Sequence, residues 1–264
     1  MSTTAYPALI SAYMQASAGR RNSGNRIGPF TAGLDAHSDN PFRNFAVPDD
    51  GAAPDDGQVG ALVAYFQRNQ RIPRLEYIED SAPRVLPALI AAGFAVERRT
   101  PVMIATAQTV LTPRSPTGIT VRQAVSDADL AASVGVQHHA YEVPDPPGPD
   151  DIARITGMTR RGGIVVVAVD DDSGTVVGTG LVDVAADYPG VGELAAVGVL
   201  TGYRRRGIAS AVSVCLARTA HAQGIGLVFL EAEPDEEQIY RRAGFFDVTA
   251  KIWVSSIPQS GVLN

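Results

Sequence analysis

Apolar positions along this chain recur in two rhythms, and the places where one gives way to the other mark its elements. In GQVGALVAYFQRNQ (57–70), Val59, Leu62, Val63 and Phe66 share one side of a 3.6-residue turn, which predicts an amphipathic helix. RLEYIE (74–79) and AVERRTPVMIA (95–105) read as strands, with the helix APRVLPALIAAG (82–93) between them, closed by Gly93. NFAV (44–47) reads as a short strand. Residues 1–40 are mostly small and polar, and only PALISAYMQ within them suggests a helix.

The second half is more strongly patterned. ITVRQAV (119–125) is a strand, followed by the helix SDADLAASVGVQHHAYEV with Ser126 as its cap and Asp127 and Asp129 at its positive end. The loop PDPPGPDD leads to a short helix over DIARITGMTRRGG. IVVVAVDD and VVGTGLVDVAAD then make a hairpin-like pair around DDSGT. GELAAVGVL (192–200) is a strand, and RGIASAVSVCLARTAHAQG (206–224) is a long helix. LVFLEAE (227–233), the helix DEEQIYRRAG (235–244) and DVTAKIWVSS (247–256) finish the pattern. This order of elements implies a mixed α/β fold.

Between the halves lies LTPRSPTG, with two prolines and a glycine. The expected division is therefore a first unit over 1–112, a linker over 113–118 and a second unit over 119–264. The segments LEYIEDSAPRVLPALIAAGFAVERRTPVMIA and LVFLEAEPDEEQIYRRAGFFDVTAKIWVSS both run strand, proline, helix, Gly-Phe, strand, a weak internal repeat that favours two related units.

Composition narrows the function classes. With 264 residues, 45% hydrophobic and 19% charged, the chain is long enough for two globular units with proper cores. A formal net charge of −6 argues against a general nucleic-acid or membrane-surface role. No apolar run is long enough to span a bilayer, and the N-terminus lacks a basic stretch followed by an apolar core, so the cytoplasm is the expected location. The single cysteine, Cys215, excludes an internal disulfide or a cysteine metal cluster and reads as core beside Ala211, Val212 and Leu216. No metal site is expected. His138 and His139 are adjacent on a helix and point to different faces, so they do not form a metal pair. His221 reads as a helix-end cap.

Against this acidic background, YRRRGIAS (203–210) gathers three arginines at a predicted strand-turn-helix junction. The first amides of a helix have no partners within it and point outward at the positive end of the dipole. Gly207 admits a ligand close to the backbone, Ala209 stays small, and the arginines add charge-assisted bonds. These parts suit a pyrophosphate. A solvated basic turn is the plain alternative.

Here the sequence resembles the GCN5-related N-acetyltransferase (GNAT) superfamily. The family pattern [RQ]-x-x-G-x-[GA] is met by Arg204, Arg205, Arg206, Gly207, Ile208 and Ala209. The approach VLTGYRRRGIA resembles the family's V-x-P-x-Y-R-x-x-G-x-G, with Thr201 in place of the proline. The resemblance covers residues 119–256 in element order. It implies a splayed central mixed sheet flanked by helices, with the backbone of Val197, Gly198 and Val199 pairing with the pantetheine arm of acetyl-CoA. The amides of Arg204–Ala209 would hold its pyrophosphate, and a primary amine would be the acceptor.

Amine acetylation needs a base for the ammonium and an acid for the departing thiolate. Tyr240, in YRRAGF, resembles the tyrosine of the family's Y-x-x-x-G-F, whose hydroxyl lies near the CoA sulfur; a helix tyrosine packed on the sheet is the alternative. Glu193, eleven residues before Arg204, resembles the base of the histone-acetyltransferase branch. Glu231 resembles that of the N-terminal-amine branch, and ordered water serves in other members. The loop AYEVPDPPGPDD brings Glu142, Asp145, Asp150 and Asp151 to where the family shapes its acceptor site. In the first half, VPDDGAAPDDGQVG stands where a cradle would be, and Leu89 where Tyr240 falls in the repeat. Residues 1–112 therefore read as a degenerate GNAT-like unit serving as scaffold, acceptor wall or homodimer contact. A CoA-binding sensor without turnover, or a scaffold that kept only the fold, are the readings from other classes.

Overall fold

The structure, a computed structural model, describes residues 5–20, 24–35, 39–112 and 115–256. Its helices and strands are, in chain order, α1 (Tyr6–Gly19), β1 (Asn25–Ile27), β2 (Phe30–Gly33), β3 (Phe45–Pro48), α2 (Asp56–Arg68), β4 (Arg74–Ile78), α3 (Val85–Ala91), β5 (Ala95–Ala105) and β6 (Ile119–Gln123). They continue with α4 (Asp127–Ala140), α5 (Pro149–Arg160), β7 (Ile164–Asp170), β8 (Val176–Ala185), β9 (Tyr188–Val199), α6 (Ile208–Ala222), β10 (Leu227–Glu231), α7 (Glu237–Arg241) and β11 (Phe246–Ser255). Two compact units result. One takes the chain up to Val102 and again from Val248 onward; the other runs from Met103 to Asp247. Part of the expected linker, 113–114, lies outside the described residues.

In the first unit the strand order is β1-β2-β3-β4-β11, with β3 and β4 parallel and the other pairs antiparallel. α2 buries Val59, Leu62 and Phe66 of the four residues its spacing predicts, leaves Val63 half-buried, and starts on Asp55, whose side chain accepts the amide of Gln58 at 2.8 Å. The hairpin β1–β2, turning through Gly28 at φ 53°, had no counterpart in the sequence pattern. Strands of three and four residues are too short to display an alternation, and β2 is buried at Phe30, Ala32 and Gly33.

Opposed residues of an antiparallel pair share a face, so Arg74, Glu76 and Ile78 of β4 stand with Ser255, Trp253 and Lys251 of β11. That face carries a buried charge cluster. The Arg74 guanidinium bonds Glu76, both oxygens of Glu97 at 3.0–3.2 Å and the carbonyl of Pro41, while Lys251 Nζ lies 2.8 Å from Glu76. Phe42 meets Trp253 edge-on, and Arg98 stacks 3.8 Å from the centre of the Trp253 ring.

The second unit carries the order β10-β9-β8-β7-β6, with β9 and β10 parallel and the rest antiparallel. β7 is apolar and buried from Ile164 to Ala168, as expected of a strand covered on both faces. On one side α6 packs Ile208, Val212 and Leu216 against Val166, Val182 and Leu194. On the other, α4 and α5 pack Leu130, Val134, Ile155 and Met158 against Val165 and Leu181. Each fully buried side chain of this size contributes roughly 1.5–3 kcal/mol.

Candidate active site

The site grows from an interruption of β9. Opposite β8, Gly198 faces Thr179 and Ala195 faces Leu181, so two residues of β9 stand against one of β8. This is a bulge, and within it Ala196 takes a left-handed φ of 53°. On its other edge β9 pairs with β10 only across Val191, Gly192 and Glu193. Pairing ends there, so the backbone from Leu194 to Val199 faces an opening between the two strands. A helix closes in on the far side of the bulge, because a Cβ at Gly198 would lie 2.8 Å from that of Ala140 in α4.

Beyond Val199 the chain makes a 3-10 turn over Thr201–Tyr203 and enters α6. Arg205 and Gly207 have φ of 63° and 83°, left-handed on either side of Arg206. Such reversals turn successive amides to one side and form an anion-binding concavity. No side chain caps α6 at Gly207, no acidic residue lies in its first turn, and a Cβ on Gly207 would meet nothing within 4 Å. The open amides at the positive end of a 15-residue helix therefore fit a pyrophosphate. The contrast with α2 is direct, since the Asp55 carboxylate already caps that helix at the amide of Gln58.

The three arginines divide their work. Arg204 Nε donates to the carbonyl of Val199 at 3.2 Å, and Arg206 donates to that of Gly202 at 3.1 Å while lying over the Tyr203 ring. Both brace the turn, and Arg205 is exposed. Tyr203 bonds Asp170 at the end of β7, and His139 at the end of α4 meets Thr201 Oγ1 at 3.2 Å, so neighbouring elements hold the turn from two sides. The threonine in place of the expected proline thus supplies a tether.

Tyr240 is 7% exposed and belongs to the core on the α6 side, its ring edge-on to Phe245. Burial and the charge of Glu236 push its hydroxyl well above the usual tyrosine value, so it stays protonated through the neutral range. Tyr141, at the C-terminal cap of α4, is exposed, and its hydroxyl donates to the carbonyl of Val197 at 3.4 Å. The Tyr141 and Tyr240 hydroxyls act on one another as well. Tyr240 belongs to the layer on the α6 side of the sheet, and Tyr141 follows α4 on the other side.

Glu193 and Glu231 are half-buried. Register puts Glu193 level with Asp183 and Phe229, and Glu231 two residues further along β10 on that same face, at the opening. Val197–Val199 lie beyond the last β9–β10 pair and lead into the turn of Arg204–Ala209, Glu231 follows that pair on β10, Glu193 belongs to it, and Tyr240 lies in the core on the α6 side. The acidic loop is organised otherwise. His138 bonds the carbonyl of Asp145 at 2.9 Å and approaches Asp151 at 3.7 Å, and Asp151 accepts the amide of Gly148, so these groups pin the loop to α5. Cys215 is half-buried against the α6-side core, which raises its thiol, and His221 ties the carbonyl of Ile225 at 2.7 Å. Tyr141 and His139, which reach the bulge and the turn of the cradle, escaped sequence reading as site residues.

The Acetyltransferase (GNAT) family model matches residues 134–245, from the middle of α4 to the turn after α7. Those residues form a GNAT domain. No curated protein sequence matches the chain. Among solved structures, a GCN5-related N-acetyltransferase from Kribbella flavida superposes with a TM-score of 0.77 at 23% identity, covering 95% of each chain. One from Sphaerobacter thermophilus gives 0.63 at 22% identity, over 87% of this chain and 78% of that one. A tandem GNAT protein from the clavulanic acid biosynthesis pathway gives 0.59 at 12% identity, over 98% of both. These likenesses establish the fold, a mixed sheet flanked by helices. Among the described residues of the GNAT domain and the first unit, no helix is long and apolar enough to cross a membrane, and no group of three or more His, Cys, Asp or Glu is placed to hold a metal ion.

Proposed function

We propose that the GNAT domain is an N-acetyltransferase that moves the acetyl group of acetyl-CoA directly to a primary amine. The observation that carries this reading is the uncapped, glycine-led start of α6 beside the opening of β9. In this reading the amides of Arg204–Ala209 take the pyrophosphate, with Arg205 adding charge. The backbone of Val197–Val199, beyond the last β9–β10 pair, pairs with the pantetheine amides, which brings the thioester toward Tyr240. Tyr240 gives its proton to the departing sulfur, and its burial keeps that proton in place until then. Glu193 and Glu231 stand on the side of the sheet from which a carboxylate would reach the acceptor. The first unit, with its self-capped α2 and with Leu89 where the repeat places Tyr240, is read as a degenerate GNAT-like unit that binds no CoA.

Thermal unfolding with and without acetyl-CoA tests the cradle. At 100 times its dissociation constant the cosubstrate should add about 2.7 kcal/mol, which raises Tm by a few degrees for a chain of this size. Gly207→Asp should abolish the shift, because a carboxylate in the cradle repels the pyrophosphate. An equal shift in both proteins would move the binding site elsewhere, and no shift in either would remove the acetyltransferase reading.

A further inference from the structure

We propose that His139 is a positioning residue for acetyl-CoA: it holds the turn that cradles the pyrophosphate in line with the stretch of β9 that takes the pantetheine arm. The inference rests on the acetyltransferase reading and adds a residue to it. A cosubstrate that spans two subsites binds tightly only when both stand at the spacing and angle its own length demands. Here the two are joined by Leu200–Tyr203, a link that closes in a single 3-10 turn. Thr201 and Gly202 are exposed, so packing alone does little to hold that link. Its placement depends on side chains that reach it from elsewhere.

The end of α4 runs along this stretch as a seam. His139 Nε2 lies 3.2 Å from Thr201 Oγ1, and the Tyr141 hydroxyl donates to the carbonyl of Val197 at 3.4 Å. Between them, Gly198 packs so close to α4 that a Cβ there would lie 2.8 Å from that of Ala140. Three consecutive residues of α4 and its cap thus meet Thr201, Gly198 and Val197 in reverse order. The helix is a firm post, with Leu130 and Val134 in the core against Val165 and Leu181, and with two bonds of 2.8 Å from Arg122 to Asp129 at its start. Of the three contacts in the seam, that of His139 alone reaches past β9 into the turn.

The cradle keeps its own shape without this bond. Arg204 Nε donates to the carbonyl of Val199 at 3.2 Å, and Arg206 donates to that of Gly202 at 3.1 Å while its guanidinium lies 4.8 Å from the centre of the Tyr203 ring. These braces tie the turn to itself and to the last residue of β9. From outside, Asp170 holds Tyr203 at one end of the turn and His139 holds Thr201 at the other. Two anchors fix an orientation, whereas with one gone the turn pivots as a unit about the other. His138, next along the helix, faces away and lies 2.9 Å from the carbonyl of Asp145, so the adjacent histidines serve different neighbours.

The test measures dissociation constants for three probes: acetyl-CoA, ADP, which carries the pyrophosphate without the arm, and S-acetylpantetheine, which carries the arm without the pyrophosphate. His139→Ala and Thr201→Val should each weaken acetyl-CoA about 3- to 10-fold, the worth of one hydrogen bond, and together no more than either alone. ADP and S-acetylpantetheine should bind these variants as they bind the wild type, because each touches one subsite only. His139→Gln, which keeps a hydrogen-bonding nitrogen at the reach of Nε2, should stay within about 2-fold of wild type for acetyl-CoA. Thr201→Val removes the same bond from its other end and answers the question if His139→Ala does not fold. Unchanged acetyl-CoA affinity in His139→Ala would overturn the assignment, as would losses that add in the double variant, or an equal loss for ADP, which would mean that the cradle itself had collapsed. A wild type that binds acetyl-CoA but neither fragment would overturn it too, since there would be no separate subsites to align. A wild type that binds no acetyl-CoA would remove the acetyltransferase reading itself, before any variant is made.

Discussion

Gly244 shows how a short motif acquires its reason only in three dimensions. It has φ 95°, and a Cβ there would lie 2.1 Å from the carbonyl oxygen of Thr109, a backbone atom that cannot swing away. Gly93 closes α3 in the same way, at φ 85°. In both places the following phenylalanine donates back to the residue five before it at 3.0 Å, Phe94 to Leu89 and Phe245 to Tyr240. The helix end that locates Tyr240 is thus fixed by Gly244. Gly244→Ala should cost about 3 kcal/mol from overlap and backbone strain together, read as a lower urea midpoint. Gly93→Ala meets open space and should cost only the strain, about 1 kcal/mol. The Gly-Phe pairs were legible in the sequence as punctuation. That one of them is pressed against Thr109 was not, because Thr109 lies 135 positions away and carries no signal of the contact.

At the scale of elements, α4 does most to join local rules to the site. Its start is a capping box in which the Ser126 hydroxyl accepts the amide of Asp129 at 3.1 Å and Asp129 accepts that of Ser126 at 3.3 Å. Arg122 adds two bonds to Asp129 at 2.8 Å each. These bonds, the guanidinium's foremost, hold the Asp129 carboxyl far below the usual carboxylate range. A depressed pKa gives stability that is complete above the unfolded value, about 3.9, and is lost as pH falls toward the folded one. Asp129→Asn should therefore cost about 2 kcal/mol at pH 7, and the gap from wild type should narrow steadily as pH falls below about 4, in urea melts across that range. An unchanged gap at low pH would show that the loss comes from packing. The cap at Ser126 was readable from sequence, as was the helix itself. The other end was not: Tyr141 and His139 lie where α4 meets the bulge and the turn of the cradle, and a bulge in β9 leaves no mark on its apolar alternation.

Over the whole chain, the order of elements predicts a mixed α/β fold and the resemblance of the YRRRGIA motif implies a GNAT sheet, and the family match and the superposed structures agree with both. Which neighbour a strand pairs with is a different matter, settled by residues far apart in sequence. The last part of β11 is an example, because Lys251, Trp253 and Ser255 pair with β4 and complete the face that holds Arg74 and Glu76. Arg74 is 1% exposed and Glu76 4%. Without β11 the cluster loses Lys251 and its aromatic cover, and stripping one partner from a buried ionic cluster costs about 3–5 kcal/mol. Ile252 and Val254, both fully buried, add roughly 1.5–3 kcal/mol each. These losses together match the 5–15 kcal/mol that a domain of ordinary stability possesses. A chain ending at Asp247 should therefore keep the folded GNAT domain and lose the cooperative unfolding of the first unit. Calorimetry should show one transition gone, and the amide spectrum of residues 45–102 should collapse toward the unfolded range. Had the two units been separable at the linker between them, the same truncation would leave both transitions in place, since nothing of the first unit would lie beyond residue 112. The melt therefore decides whether the first unit is folded by its own sequence or by a strand borrowed from the chain's far end.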